Sequence, residues 1–179
     1  MFALDRMRHE TCCFTGHRPN KLPSGWLQDD TECAPLRRAL RTAIVQAADN
    51  GYRRFISGMA QGIDTWAAEE VLDLQSHGRD VHLIAALPCP NQAIRWSVKA
   101  RLRLNTLLAE ADEVYTVCDE YTPFCMGARN LWMVERSSLL IAVFDGSKGG
   151  TANTISHAER FGLDIVRINP NEVINRQGG

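Results

Sequence analysis

Ser57-Gly58-Met59-Ala60-Gln61-Gly62-Ile63-Asp64 is the stretch on which the fold turns. It follows the apolar Phe55-Ile56 and opens a helical segment running from Thr65 to Leu74. A strand therefore passes into a helix through a turn that holds two glycines four residues apart. Neither glycine carries a Cβ, which lets the backbone come close to a ligand. The helix start adds unpaired N–H groups and the positive end of its dipole, a setting that suits phosphate. Asp64, two residues past the second glycine, has the chemistry to cap that helix or to accept ribose hydroxyls. Turns of this shape belong to nucleotide-type pockets.

Outward from this unit, short apolar runs alternate with helical stretches along the whole chain. Strands are expected over Thr11–Thr15, Arg53–Ser57, Val81–Leu87, Glu113–Cys118, Leu139–Phe144 and Ile165–Ile168. Most lack polar alternation, as strands covered on both faces do. Helices are expected over Glu32–Asn50, Asp64–His77, Gln92–Ala111, Phe124–Glu135 and Ala152–Phe161. Asn50-Gly51 and Gly162 stand where helix stops belong. In the third helix Leu102, Leu104, Leu107 and Leu108 form the expected core stripe, with Arg95, Lys99 and Arg103 on a solvated face. Alternation of this kind implies an α/β fold: Rossmann-like, doubly wound, mainly parallel, with helices on both faces of the sheet. At 179 residues, with no linker or repeat, residues 1–179 are expected to form a single domain. The tail from Asn175 is expected to fray.

Hydrophobic residues are 45% of the chain and charged residues 23%, an ordinary globular balance. The net charge of −1 exerts no global pull on nucleic acid or anionic lipid, so neither nucleic acid nor a membrane is an expected partner. No apolar run is long enough to span a bilayer, and residues 1–10 lack the core of a signal peptide. The six cysteines include no C-x-x-C pair, and the five histidines add no metal-ligand spacing. Reduced thiols, no metal and a cytoplasmic location are therefore expected. Leu139-Leu140 beside Trp132 points to a face for homo-oligomer formation.

In a sheet of this class, ligands sit beyond the carboxyl ends of the strands, where strand order reverses. With the order 3-2-1-4-5-6, three unusual loops meet there. They are Thr15-Gly16-His17-Arg18-Pro19, the Ser57–Asp64 run, and Asp145-Gly146-Ser147-Lys148-Gly149-Gly150-Thr151. The last also opens a helix, with Thr151 as its expected N-cap. Two glycine-rich helix starts at one edge make a two-sided phosphate cradle. Arg18 and Arg129 supply charge of the kind that pairs with phosphate or carboxylate. The expected ligand-binding set is thus Thr15, Gly16, His17, Arg18, Ser57, Gly58, Met59, Gly62, Asp64, Arg129, Asn130, Asp145, Gly149, Gly150 and Thr151. Each motif also has a plainer reading, as a tight turn, a solvated histidine or a helix cap. Trp66, Trp96, Trp132 and Met133 are read as packing. There is no G-x-G-x-x-G after the first strand and no G-x-x-x-x-G-K-[ST], which speaks against a dehydrogenase or a P-loop ATPase. No G-x-S-x-G, H-E-x-x-H, carboxylate pair or Cys–His couple is present, and no catalytic residue is assigned.

These residues carry a family likeness. The Ser57–Asp64 run resembles the S-G-x-A-x-G-I-D motif of the SMF/DprA side of the SLOG superfamily, which also includes the LOG phosphoribohydrolases. Phe14–Pro19, Tyr121–Met126 with Arg129–Val134, and Ile141–Gly146 with Gly149–Thr151 are similar to blocks of its small standalone YpsA-type branch. The likeness runs from about Cys12 to Pro170. It implies a Rossmann-like fold and a pocket for a nucleotide or nucleotide-derived ligand, such as NAD or ADP-ribose, that the protein binds or senses. The LOG motif P-G-G-x-G-T-x-x-E ends in a glutamate that supports N-glycosidic cleavage, and Thr154 stands at that place here. A nucleotide N-glycosidase and a DprA-like binder of single-stranded DNA are the two alternatives that the likeness implies.

Overall fold

β1 (Thr11–Gly16), β2 (Arg54–Ser57), β3 (His82–Leu87), β4 (Glu113–Thr116), β5 (Leu139–Val143) and β6 (Asp164–Ile168) form one sheet in which every neighbouring pair is parallel. The computed structural model describes residues 3–22 and 33–175. Between the strands run α2 (Ala34–Asp49), α3 (Ile63–Ser76), α4 (Val98–Glu110), α5 (Cys125–Glu135) and α6 (Gly150–Arg160). Two short helices, α1 (Ala3–His9) and α7 (Pro170–Asn175), were not anticipated from the sequence. The fold is α/β and Rossmann-like, as expected.

Successive side chains of a strand point to opposite faces, and here that alternation builds two cores. Cys12, Phe14, Phe55, Leu83, Ile141 and Val143 face α2, α3 and α4, where Leu36, Leu40, Ile44, Trp66, Val71 and Leu104 meet them. Cys13, Ile56, Ile84, Leu140 and Ala142 face α5 and α6, against Met133, Val134, Ile155 and Ala158. The adjacent cysteines of β1 thus lie in different cores, each as a small apolar filler.

The strand order is β4-β3-β2-β1-β5-β6, not the expected 3-2-1-4-5-6. β4 is an edge strand, and its composition explains why. Val114, Tyr115 and Thr116 are exposed, and Glu113 pairs with Arg54 at 2.6 Å. A strand inserted beside β1 would have to bury those groups on both faces. The all-apolar Leu139–Val143 takes that place instead and is buried throughout. Leu139 and Leu140 are therefore core residues, which corrects their reading as a self-association face.

Element ends follow local chemistry. Gly51 and Gly162 stop α2 and α6 with φ of +95° and +70°, where a Cβ would be strained. α4 starts at Val98, six residues later than expected, because the Ser97 hydroxyl caps it by accepting from Ala100 N at 3.2 Å. Its buried stripe is Leu104 and Leu107, whereas Leu102 is 61% exposed. The expected start of α2 at Glu32, and the tail beyond Asn175, lie outside the described residues. Among the described residues, no helix is long and apolar enough to cross a membrane.

Candidate functional site

The β2–α3 turn is built inward. Gly58 is required not by a ligand but by Arg129, whose guanidinium occupies the space a Cβ would take, with Asp64 Oδ2 2.7 Å from the same point. Arg129 arrives from α5, is 4% exposed, and donates from Nη1 to the carbonyls of Gly58 and Ala86. Its Nε donates to Asn130 Oδ1 at 2.8 Å. This one side chain therefore fastens α5 to the ends of β2 and β3. Asp64 Oδ2 lies 3.8 Å from Nη1 and accepts from Ala60 N at 3.3 Å. Burial raises the Asp64 carboxyl above the usual range, and Arg129 opposes that rise. Ser57 Oγ donates to the Asp64 carbonyl at 2.8 Å and accepts from Met59 N at 3.1 Å. Met59, fully buried, holds a left-handed φ of +55°. Its carbonyl accepts from Gln92 at 3.3 Å.

The β1 loop packs against the same turn. A Cβ on Gly62 would lie 2.6 Å from the His17 carbonyl, and one on Gly16 would lie 2.6 Å from Ile63. Ile63 N donates to His17 O at 3.4 Å. Two glycines, Gly16 and Gly62, thus let the first two loops interlock.

Strand order reverses between β1 and β5, because β2 to β4 lie on one side of β1 and β5 to β6 on the other. His17 Nε2 and Asp145 Oδ1 face each other across that point at 3.0 Å. Their alignment is too poor for a hydrogen bond, which leaves the buried Nε2 without a partner of good geometry. Burial lowers the His17 pKa, with Asp145 pulling the other way. Hydrogen bonds from Ser147 hold the Asp145 pKa down at about 2. Lys21 Nζ donates to Ser147 Oγ at 2.9 Å, tying the two loops a second time.

Beyond Asp145, α6 opens at Gly149 with no side-chain cap. Thr151 lies inside the first turn, which corrects its expected role as N-cap. A Cβ on Gly149 or Gly150 would meet nothing within 4 Å. This start, unlike that of α3, faces open space, and among the described residues nothing accepts from its first N–H groups. The Thr154 hydroxyl, one turn on, donates to Gly150 O at 2.9 Å and accepts from Asn130 Nδ2 at 2.9 Å.

Arg18, exposed beside His17, turns toward a hollow of about 860 Å3 on the α4 side of the same sheet edge. Its walls include Gln61 and Thr65 of the second loop, Asn91, Gln92 and Trp96 after β3, Tyr121 after β4, and Met126 of α5. Arg95, Lys99 and Arg103 also line it, and among the described residues no carboxylate does. Arg103 is held by Glu69, at 2.5 Å through Nε and 2.7 Å through Nη2. Arg95 in the loop before α4, with Lys99 and Arg103 on it, is thus part of a cavity wall, and Trp96 stands beside it. The signal for this wall was in the sequence. Ser97 is a strong N-cap, and moving the helix start to it leaves Pro88 to Trp96 as loop at the ligand edge.

The structure thus brings His17 and Asp145 together and puts Arg18 in the wall of the hollow, whereas Gly149, Gly150 and Thr151 open α6 and are not among the residues that line the hollow. Gly16, Gly58, Met59, Gly62, Asp64 and Arg129 lie beneath as its buried support. Among the described residues, no group of three His, Cys, Asp or Glu is placed to hold a metal ion.

Residues 12–164 match the model of the YspA SLOG family (YpsA). The chain belongs to this family. Among its relatives is the SPbeta prophage-derived protein YoqJ of Bacillus subtilis strain 168, 32% identical over 136 residues, or 68% of this chain and 79% of YoqJ. A UPF0398 protein of Bacillus thuringiensis strain Al Hakam is 28% identical over 151 residues, 82% of this chain and 80% of that one. The SLOG fold here superposes on DNA processing protein A of Streptococcus pneumoniae with a TM-score of 0.62 at 18% identity, covering 98% of this chain but 58% of that protein. The Helicobacter pylori counterpart, solved for its single-stranded DNA binding mode, gives 0.60 at 15% identity, covering 99% of this chain and 76% of that one. At such identities the likeness establishes the fold alone.

Proposed function

We propose that this SLOG chain binds a nucleotide-derived ligand at the carboxyl edge of its sheet. The anionic part lies against Arg18 and Arg95, and the base lies against Trp96 and Tyr121. The observation that carries the reading is the cavity of about 860 Å3, whose described lining sets Arg18 and Arg95 beside Trp96 and Tyr121. That volume lies within the range of small-molecule sites, about 300 to 1,000 Å3. Calorimetric titration with AMP, ADP-ribose and NAD is the test. Binding that weakens at least about tenfold in Arg18→Ala and in Trp96→Ala supports the reading. Silence from all three at millimolar concentration sinks it.

Hydrolysis of LOG type has no support at Thr154, since a hydroxyl cannot serve as the acid that a glutamate supplies. Asp145, held near pKa 2, stays ionised and offers charge rather than a proton.

A single-stranded nucleic acid is the second reading, and one observation favours it. Tyr121 and Phe124, on the loop that walls the hollow, are 66% and 81% exposed. Exposed rings beside cations are what unstacked bases use. The DNA-binding structural neighbour from Helicobacter pylori weighs the same way. The net charge had argued against nucleic acid, but a local patch suffices for it. Fluorescence anisotropy with a labelled oligonucleotide separates the two readings. Salt-sensitive oligonucleotide binding without mononucleotide binding selects the second.

A further inference from the structure

Three of the six thiols gather where β3 and β4 run out. Past the last strand pair, Leu87 with Thr116, the two chains stay hydrogen-bonded, with Val117 N donating to Leu87 O at 2.9 Å and Cys118 N to Pro88 O at 3.1 Å. That last bond sets the backbone of Cys118 beside Pro88, the residue that precedes Cys89. Neighbouring strands lie about 4.8 Å apart, within the span of about 4.4 to 6.8 Å between Cα atoms that a disulfide accepts. Cys125, the first residue of α5, completes the group. The Cys89 thiol senses both Cys125 and Cys118. Cys89 and Cys125 are fully buried, whereas Cys118 is partly exposed. Cys12, Cys13 and Cys33 are buried in the cores or beside them.

We propose that Cys118 and Cys89 form a thiol-modification site that reacts with small-molecule disulfides of the glutathione type. Exposure sets the order of events. The Cys118 thiol loses its proton to solvent, and its sulfur attacks one sulfur of the reagent. The reagent's S–S bond breaks, and one small thiolate leaves and takes up a proton. Cys89 then loses its own proton, attacks Cys118 Sγ in the mixed disulfide and expels the second small thiol, which is protonated in turn. Two protein thiols are oxidised to one disulfide, one reagent disulfide is reduced to two thiols, and nothing else is consumed. Burial raises the Cys89 pKa, so that thiol reacts poorly with free reagent and only within the mixed disulfide.

The bond would sit under the proposed ligand site. Asn91 and Gln92 follow Cys89, Tyr121 follows Cys118, and all three line the hollow. Closing the disulfide staples those two walls together, a link of the kind that reports redox state in a reducing compartment.

The test incubates the reduced full chain with oxidised glutathione and follows it by intact-mass spectrometry and non-reducing peptide mapping. One intramolecular disulfide joining the Cys89 and Cys118 peptides is expected. Cys89→Ser should stop at a glutathione adduct on Cys118, and Cys118→Ser should react at least about tenfold more slowly. Circular dichroism checks that each variant folds, and Cys89→Ala gives the same readout if the serine disrupts the core. A main product joining any other pair overturns the proposal. So does an unchanged rate in Cys118→Ser, or a folded chain that takes up no glutathione while the urea-unfolded chain does.

Discussion

Gly58 and Gly150 each sit just before or at the start of a helix, and only their surroundings tell them apart. A methyl group at Gly58 would run into the Arg129 guanidinium, whereas one at Gly150 meets open space. Gly58→Ala should therefore lower the unfolding free energy by about 2 kcal/mol or more, the scale of overpacking in a fixed site. Gly150→Ala should change it by less than about 0.5 kcal/mol, as an exposed site does. Urea denaturation of the two variants checks the contrast, and equal losses would refute it. Arg129 carries the second prediction at this scale. Arg129→Met leaves Asp64 buried without its cation and should cost about 3–5 kcal/mol. Adding Asp64→Asn should recover part of that loss, and the double-mutant cycle measures the coupling. The sequence announced that the Gly58 turn is special but not what fills it. The occupant comes from α5, 71 residues away, and no local pattern records such a pairing.

Elements were legible where local chemistry alone decides them. All six strands and the long helices other than α4 lie where the apolar period placed them, and Gly51 and Gly162 supply the positive φ that ends α2 and α6. The error at α4 came from extending its period through Gln92–Trp96, although Ser97 caps the helix. That slip turned Leu102 inward on paper and sent Arg95, Lys99 and Arg103 to solvent. Ser97→Ala tests the cap directly. It should cost about 1 kcal/mol, read from the urea midpoint. Because Ser97 also lines the hollow, loss of the cap should loosen that wall and raise amide exchange in the first turn of α4. Unchanged exchange there would show that packing alone fixes the helix start.

At the scale of the whole molecule, the sequence yielded the fold class but misplaced β4, since strand order depends on which run can bear burial on both faces. Putting β5 beside β1 brings His17 and Asp145 together across the point where the order reverses, so this pair joins the two halves of the sheet. The pair also makes stability depend on pH, with a definite sign. The folded His17 pKa lies below its ordinary 6.5 through burial. The unfolded chain therefore takes up that proton first, and stability is lost as pH falls below about 6.5. Asp145 is depressed from 3.8 to about 2, so its contribution is full above about 4 and lost as pH falls toward 2. Both losses lie on the acid side. Urea midpoints from pH 7.5 down to about 3 should fall in two stages. His17→Gln should remove the upper stage, and Asp145→Asn the lower. Asp145→Asn should also deepen the upper stage, because Asp145 is the charge that raises the His17 pKa against burial. An upper stage that stays the same in Asp145→Asn would mean that the two side chains do not sense each other, and the halves of the sheet would then be joined by backbone alone.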